Sequence, residues 1–295
     1  ARYPDDAPAP DMTAWDRAFA EAMRAVQRAF PDDLDVRFVL VEAILNLTPW
    51  RMWDLATGRP AEGAGTEEAM ALLEDAFERL PGAWEHPGLL HLHVHLMEMS
   101  PHPERALATG DRLRTLVPDA GHLVHMPTHI DVLCGFYHDV VFWNRKAVEA
   151  DRKDYEATGG MNFYTAYRQH NHHFVIYGAM FLGQLTPALE AAEELIDTTP
   201  VALMRVESPP MADFLEPFIP MKAHVLVRFG LWHDILAEPL PGDAALYCST
   251  RAMWLYAKAV AHSALGNVAE AEEARAAFRA AKAAVPASRL LHNNR

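Results

Sequence analysis

The side chains best equipped for chemistry in this sequence are histidines. The 295-residue chain carries 16, and twelve of them fall between His86 and His173. Their spacing is helical. His91 and His95 are four apart, with Glu98 three further on. His125 and His129 are four apart, and His170 and His173 three apart with His172 between them. Residues three or four apart share one face of a helix, so each group presents a pair of imidazoles on one side. Imidazole is the commonest side-chain ligand for transition metals near neutral pH. His91, His95 and Glu98 together suit one ion with a position left for water, as in zinc hydrolases. Six or more imidazoles can hold two ions, which suits a coupled dicopper centre. Met97, Met99 and Met126 stand beside these histidines, and thioether is a soft ligand that tilts the choice towards copper.

The remaining composition narrows the classes of function. Net charge is −14, from 26 basic and 40 acidic residues, which argues against nucleic acid or an anionic membrane as a partner. Cys134 and Cys248 are the only cysteines and form neither a disulfide framework nor a Cys-x-x-Cys motif. No apolar run approaches the roughly 18–20 residues of a membrane span, and a cytoplasmic location fits. Gly-rich phosphate loops, the Gly-x-Ser-x-Gly elbow and His-Glu-x-x-His are all missing. A small-molecule substrate is the expectation.

The elements that must position the histidines are helices. Thr66–Leu80, Glu104–Leu116, Tyr137–Ala150, Pro187–Ile196 and Val268–Ala284 have apolar residues at helical spacing, and four of them run into proline. Each follows another helical segment across a short turn. The turn markers Pro101, Gly135, Gly183, Gly230 and Gly266 are separated by about 34, 48, 47 and 36 residues, against about 34 for a tetratricopeptide repeat. With small residues five positions on (Ala106, Val140, Ala188, Ala271), this resembles the tetratricopeptide (TPR) family. The resemblance implies an all-α fold, a right-handed superhelix of antiparallel helix pairs in a single domain spanning 1–295. Residues 1–47 would supply a cap, 48–65 an ordered loop around Trp50, Met52 and Trp53, and 154–168 and 201–216 inserts.

In a TPR array the first helix of each pair lines the concave face. Ten residues before successive markers stand His91, His125 and His173. Six before stand His95, His129, Tyr177 and His224, and thirteen before stand His122 and His170. The resemblance therefore implies a column of imidazoles on the inner surface. Pro127 complicates it, because proline breaks or kinks a helix, so His125 lies at a cap or a bend. The chain also resembles a bacterial group of TPR-like proteins carrying HPGxxHxxxHxxE, HMPxHI and HNHHF segments, here His86–Glu98, His125–Ile130 and His170–Phe174.

The expected protein is a metalloenzyme, an oxidoreductase using copper or iron with O2. Its metal ligands would come from His91, His95, His125, His129, His170, His172, His173 and His224. Tyr177 and Glu98 would move or hold protons, and Arg168, Arg205 and Trp50 would contact substrate. A zinc hydrolase or lyase, or a scaffold binding a peptide or carrying a metal, are the alternatives. His170, His172 and His173 cannot all face one way on a helix. His93 points away from His91 and His95, His86 and His102 sit beside prolines where they would close turns, and His138, His233, His262 and His292 read as surface or local hydrogen-bonding residues.

Overall fold

The computed structural model describes residues 12–290; residues 1–11 of the expected cap, and His292, lie outside them. The fold is all-α, with one two-stranded hairpin among the described residues. The chain divides into two compact units, Phe136 closing the first and Tyr137 opening the second.

Unit 1 contains α1 (Thr13–Ala29), α2 (Leu34–Leu45), the hairpin strands β1 (Trp53–Asp54) and β2 (Arg59–Pro60), α3 (Thr66–Arg79), α4 (Pro87–Met97), α5 (Leu107–Leu116), α6 (Gly121–His125) and α7 (Pro127–Cys134). Its core gathers Leu40 and Ile44 of α2, Leu73 of α3, Leu89, Leu90 and Leu96 of α4, Leu113 of α5 and Ile130 of α7. The start of α4 shows how local sequence sets the site. His86 caps it, its Nδ1 accepting the Leu89 backbone N–H at 3.1 Å, and Pro87 occupies the first turn, where no N–H is needed. Gly88 follows because a Cβ there would stand 2.7 Å from the Phe38 ring. The histidine–proline–glycine run is thus a helix start packed tightly on α2.

Residues 48–65 hold the β1–β2 hairpin. Trp53 is buried and its indole N–H donates to the Leu96 carbonyl at 2.6 Å, tying the hairpin to the end of α4. Met52 is buried too, but Trp50 is 55% exposed in a left-handed backbone conformation (φ 52°). The expected loop is therefore ordered around Met52 and Trp53 but not around Trp50, which the turn points outward.

Arg114 of α5 and Asp131 of α7 form an ion pair with contacts of 3.2 and 3.3 Å, both side chains almost wholly buried (4% and 3% exposed). This pair fastens α7, and with it His129, to α5.

Unit 2 contains α8 (Tyr137–Thr158), α9 (Thr165–Leu182), α10 (Leu185–Asp197), α11 (Val201–Met204), α12 (Met211–Leu215), α13 (Met221–Arg228), α14 (Trp232–Ala237), α15 (Cys248–Ala264) and α16 (Val268–Ala283). α9 packs against α8 and α10, and α15 against α16. Ile176, Leu195, Leu215 and Val225 lead one core, and Leu226, Ile235 and Trp254 a second. Residues 154–168 are mostly helical: α8 runs to Thr158 and α9 starts at Thr165, leaving a six-residue turn. The glycine turn markers Gly135, Gly183, Gly230 and Gly266 all have φ between 69° and 80°, the left-handed region glycine enters without steric cost. Among the described residues, no helix is long and apolar enough to cross a membrane.

Candidate metal centre

The histidine-rich face of unit 1 is built by the end of α4 and by the broken helix α6–α7. His91, His95 and Glu98 lie on one side of α4. His93 faces the other way, bonded to Thr109 Oγ1 at 2.8 Å and edge-on to Phe77. Met126 separates α6 from α7, with Pro127 opening α7. The break puts His122 and His125 on α6, three residues apart, and His129 in the first turn of α7. The five rings form a chain: His91 to His95 at 4.6 Å between centroids, His91 to His122 at 5.1 Å, His122 to His125 at 6.1 Å, and His125 to His129 at 4.8 Å.

His91, His95 and His122 each offer a ligand nitrogen, all within 4.8 Å of one another. A tetrahedral ion with bonds of about 2.05 Å sets its nitrogens about 3.3 Å apart, so the rings must close by about 1.5 Å, a side-chain movement. His91 Nε2 is buried and has no hydrogen-bond partner, a costly arrangement for a polar atom unless a ligand takes it. Burial, and then the neighbouring His95 and His122, push the His91 imidazole down to about 2. Burial, then His95 and His129, push His122 down to about 4. Both rings are therefore neutral at pH 7 and keep a lone pair.

Glu98 is the orienting group. Its Oε1 accepts from His95 Nδ1 at 2.8 Å and its Oε2 from His129 Nδ1 at 2.7 Å. An ionised carboxylate only accepts, so both Nδ1 atoms carry a proton and both Nε2 atoms face away from Glu98. Burial alone raises the Glu98 carboxyl, but the His129 and His95 rings overcome it and hold it well below the usual carboxylate range. The spacing suggested Glu98 as the third group beside His91 and His95; both its oxygens are engaged, and the side chain that offers a third ligand atom there is His122. At His129, Nε2 lies 2.9 Å from His125 Nε2, near the separation two imidazoles adopt on one ion.

Replacing Glu98 with Gln leaves one accepting oxygen for two rings and removes the lock on their tautomers. The expected result is a 10- to 100-fold weaker metal affinity in chelator competition, the usual effect of losing such a partner. Unchanged affinity in the Glu98→Gln variant contradicts the orienting role.

The methionines do not belong to the centre. Met97 and Met126 are almost completely buried in the apolar core and Met99 packs against it. Met97 lies two residues from His95 and so on the opposite side of α4, and the methionines give copper no soft ligand here.

The other sequence-predicted residues belong to unit 2. His170 and His173 have ring centroids 6.3 Å apart and both meet Phe174 and Phe218 edge-on. His172 faces another way, into a cleft with Arg152 and Glu194, and so does not join them as a ligand. Tyr177 packs among Tyr137, Phe181 and His173, and burial raises its hydroxyl. His224 is half-buried in α13 and, among the described residues, makes no ring contact with another histidine. Arg168 is buried, bonded to Thr165 Oγ1 at 2.6 Å and stacked over Tyr155, so it is a structural residue rather than a substrate contact. Arg205 is paired with Asp243 at 2.7 Å.

Two histidines away from these faces contribute to acid stability beside His91 and His122. Burial pushes His93 and His172 down to about 4 each. In the unfolded chain they titrate near 6.5, so the unfolded state binds more protons between these values. Their contribution is complete above about pH 6.5 and is lost as pH falls towards 4, about 3 kcal/mol for each. Urea unfolding of chelator-treated protein should show this slope, and it should flatten in His93→Gln for unit 1 and His172→Gln for unit 2. Unchanged slopes in both variants contradict the assignment.

No protein-family model, curated protein or solved structure matches this chain.

Proposed function

We propose that the protein is a metal-dependent enzyme whose ion is held in unit 1 by His91, His95 and His122, with Glu98 orienting His95 and His129. The observation that carries this reading is Glu98 accepting both Nδ1–H groups, the carboxylate–histidine arrangement that prepares imidazole for a metal. The donor set is nitrogen, with neither thiolate nor free carboxylate, which suits copper or zinc better than magnesium or calcium.

The preferred reading is an oxidoreductase that uses copper, or iron, with O2 on a small molecule. The row of five imidazoles supports it, because His125 and His129 extend the site beyond one ion. A bound redox metal would supply one-electron chemistry; burial keeps His91 and His122 neutral, and Glu98 orients His95 and His129. The second reading, a zinc hydrolase or lyase, is favoured by the three-imidazole set itself, which leaves a coordination position for water. Both readings rest on unit 1 alone. The TPR-like, right-handed superhelical arrangement and the likeness to the bacterial group are part of the same proposal, supported by helix pairs joined at left-handed glycines.

Elemental analysis and an absorption spectrum of protein purified without added metal separate the readings. Copper or iron with ligand-field or charge-transfer bands supports the oxidoreductase, and stoichiometric colourless zinc supports the hydrolase. A chain that holds no metal and takes up none when offered each ion contradicts both.

A further inference from the structure

We propose that unit 2 carries a second ligand site, independent of the metal reading, that takes a small organic cation with an apolar or aromatic body. A groove of about 540 Å³ runs between the end of α10, α11, α13 and the start of α15. That volume falls within the usual range for small-molecule sites. Its lining is mixed, with Ile196, Val201, Met204, Ile219 and Leu240 on the apolar side and charged side chains on the other. The floor is well packed, with Met204, Ile219 and Trp254 each less than a tenth exposed. Val201, at the first turn of α11, is 45% exposed and stands at the edge.

The charge around this groove is lopsided. Glu193, Asp197 and Glu238 line it against a single cation, Lys222. Lys222 Nζ sits 3.5 Å from Glu193 and 3.6 Å from Glu238, longer than a good charged hydrogen bond. One ammonium therefore serves two carboxylates loosely, and Asp197 adds a third negative charge. Lys258 adds a second ammonium beside Glu238, its Nζ donating to the Glu238 backbone carbonyl at 2.7 Å, so the three carboxylates keep one negative charge in excess, on a chain whose overall charge of −14 also attracts cations. Tyr247, which is only partly buried, adds aromatic surface to the same groove, and aromatic faces attract cations electrostatically. A ligand with an apolar body and a positive head complements both features, whereas a carboxylate ligand would meet like charge.

Calorimetry on the full chain with benzyltrimethylammonium and phenylacetate tests this. The cation should bind saturably and at least about tenfold more tightly than the anion. The Val201→Trp variant, which fills the groove from its exposed edge, should abolish cation binding with an unchanged unfolding temperature. The Glu193→Gln/Glu238→Gln double variant frees Lys222 and should erase the preference for the cation or reverse it. Failure of the cation to bind, equal affinity for both probes in the unaltered chain, or cation binding unaffected by Val201→Trp overturns the proposal.

Discussion

Replacing His95 and His129 together with alanine is expected to reduce bound metal to less than about a tenth of the unaltered level at micromolar metal. His95 is one of three ligands in the His91–His95–His122 group. A site cut from three imidazoles to two loses its geometric preference and most of its affinity. His129 shares Glu98 with His95 and faces His125 Nε2, so its removal also closes the route by which the neighbouring pair could take the ion. The double variant leaves Glu98 buried without either imidazole, and its carboxyl should move back up because burial is then unopposed. Far-ultraviolet circular dichroism should be unchanged, since His95 and His129 are only partly buried. Full metal content in a folded double variant would show that the ion binds elsewhere or that the cluster is polar packing alone.

The second large effect concerns the scaffold. Asp131→Ala should destabilise unit 1 by about 3–5 kcal/mol, the cost of leaving one partner of a buried ion pair uncompensated. Asp111, 3.0 Å from Arg114 but 71% exposed, takes up part of the charge and should keep the loss near the lower end. The pair does not act through its own attraction alone, because desolvating both charges is expensive. The Arg114→Met/Asp131→Leu variant, which removes both charges, should therefore recover most of the lost stability. Urea unfolding followed by circular dichroism measures both. A loss below about 1 kcal/mol in Asp131→Ala would mean that α7 is held by its apolar contacts, led by Ile130.

These effects show where sequence logic reached and where it stopped. The helices were legible because apolar residues recur at the helical period and glycine marks the turns; Gly135, Gly183, Gly230 and Gly266 do adopt the left-handed conformation that such turns need. The pairing of His91 with His95 also followed from spacing, as did the separation of His93. His122 was seen at a repeat position but not counted as a ligand. The obstacle was Pro127: a face counted back from Gly135 assumes one continuous helix, and the chain instead breaks at Met126 and starts again. The spacing of His122 and His125, three apart on a separate short helix, was the signal available. Glu98 was recognised as a member of the face, but its role depends on two rings from different helices approaching one carboxylate, which no local pattern encodes. Trp50 and the three methionines were misread for the same reason, since their direction is decided by a turn and by core packing rather than by neighbours in sequence.

The most direct measurement of the central claim is anomalous diffraction from crystals of the metal-loaded protein, recorded at the edge of the metal found by elemental analysis. The expected result is an anomalous peak bonded to nitrogens of His91, His95 and His122 at about 2.0–2.1 Å, with Glu98 still accepting from His95 and His129. A fully occupied ion located away from all three imidazoles, or a site made chiefly of surface carboxylates, would contradict the account.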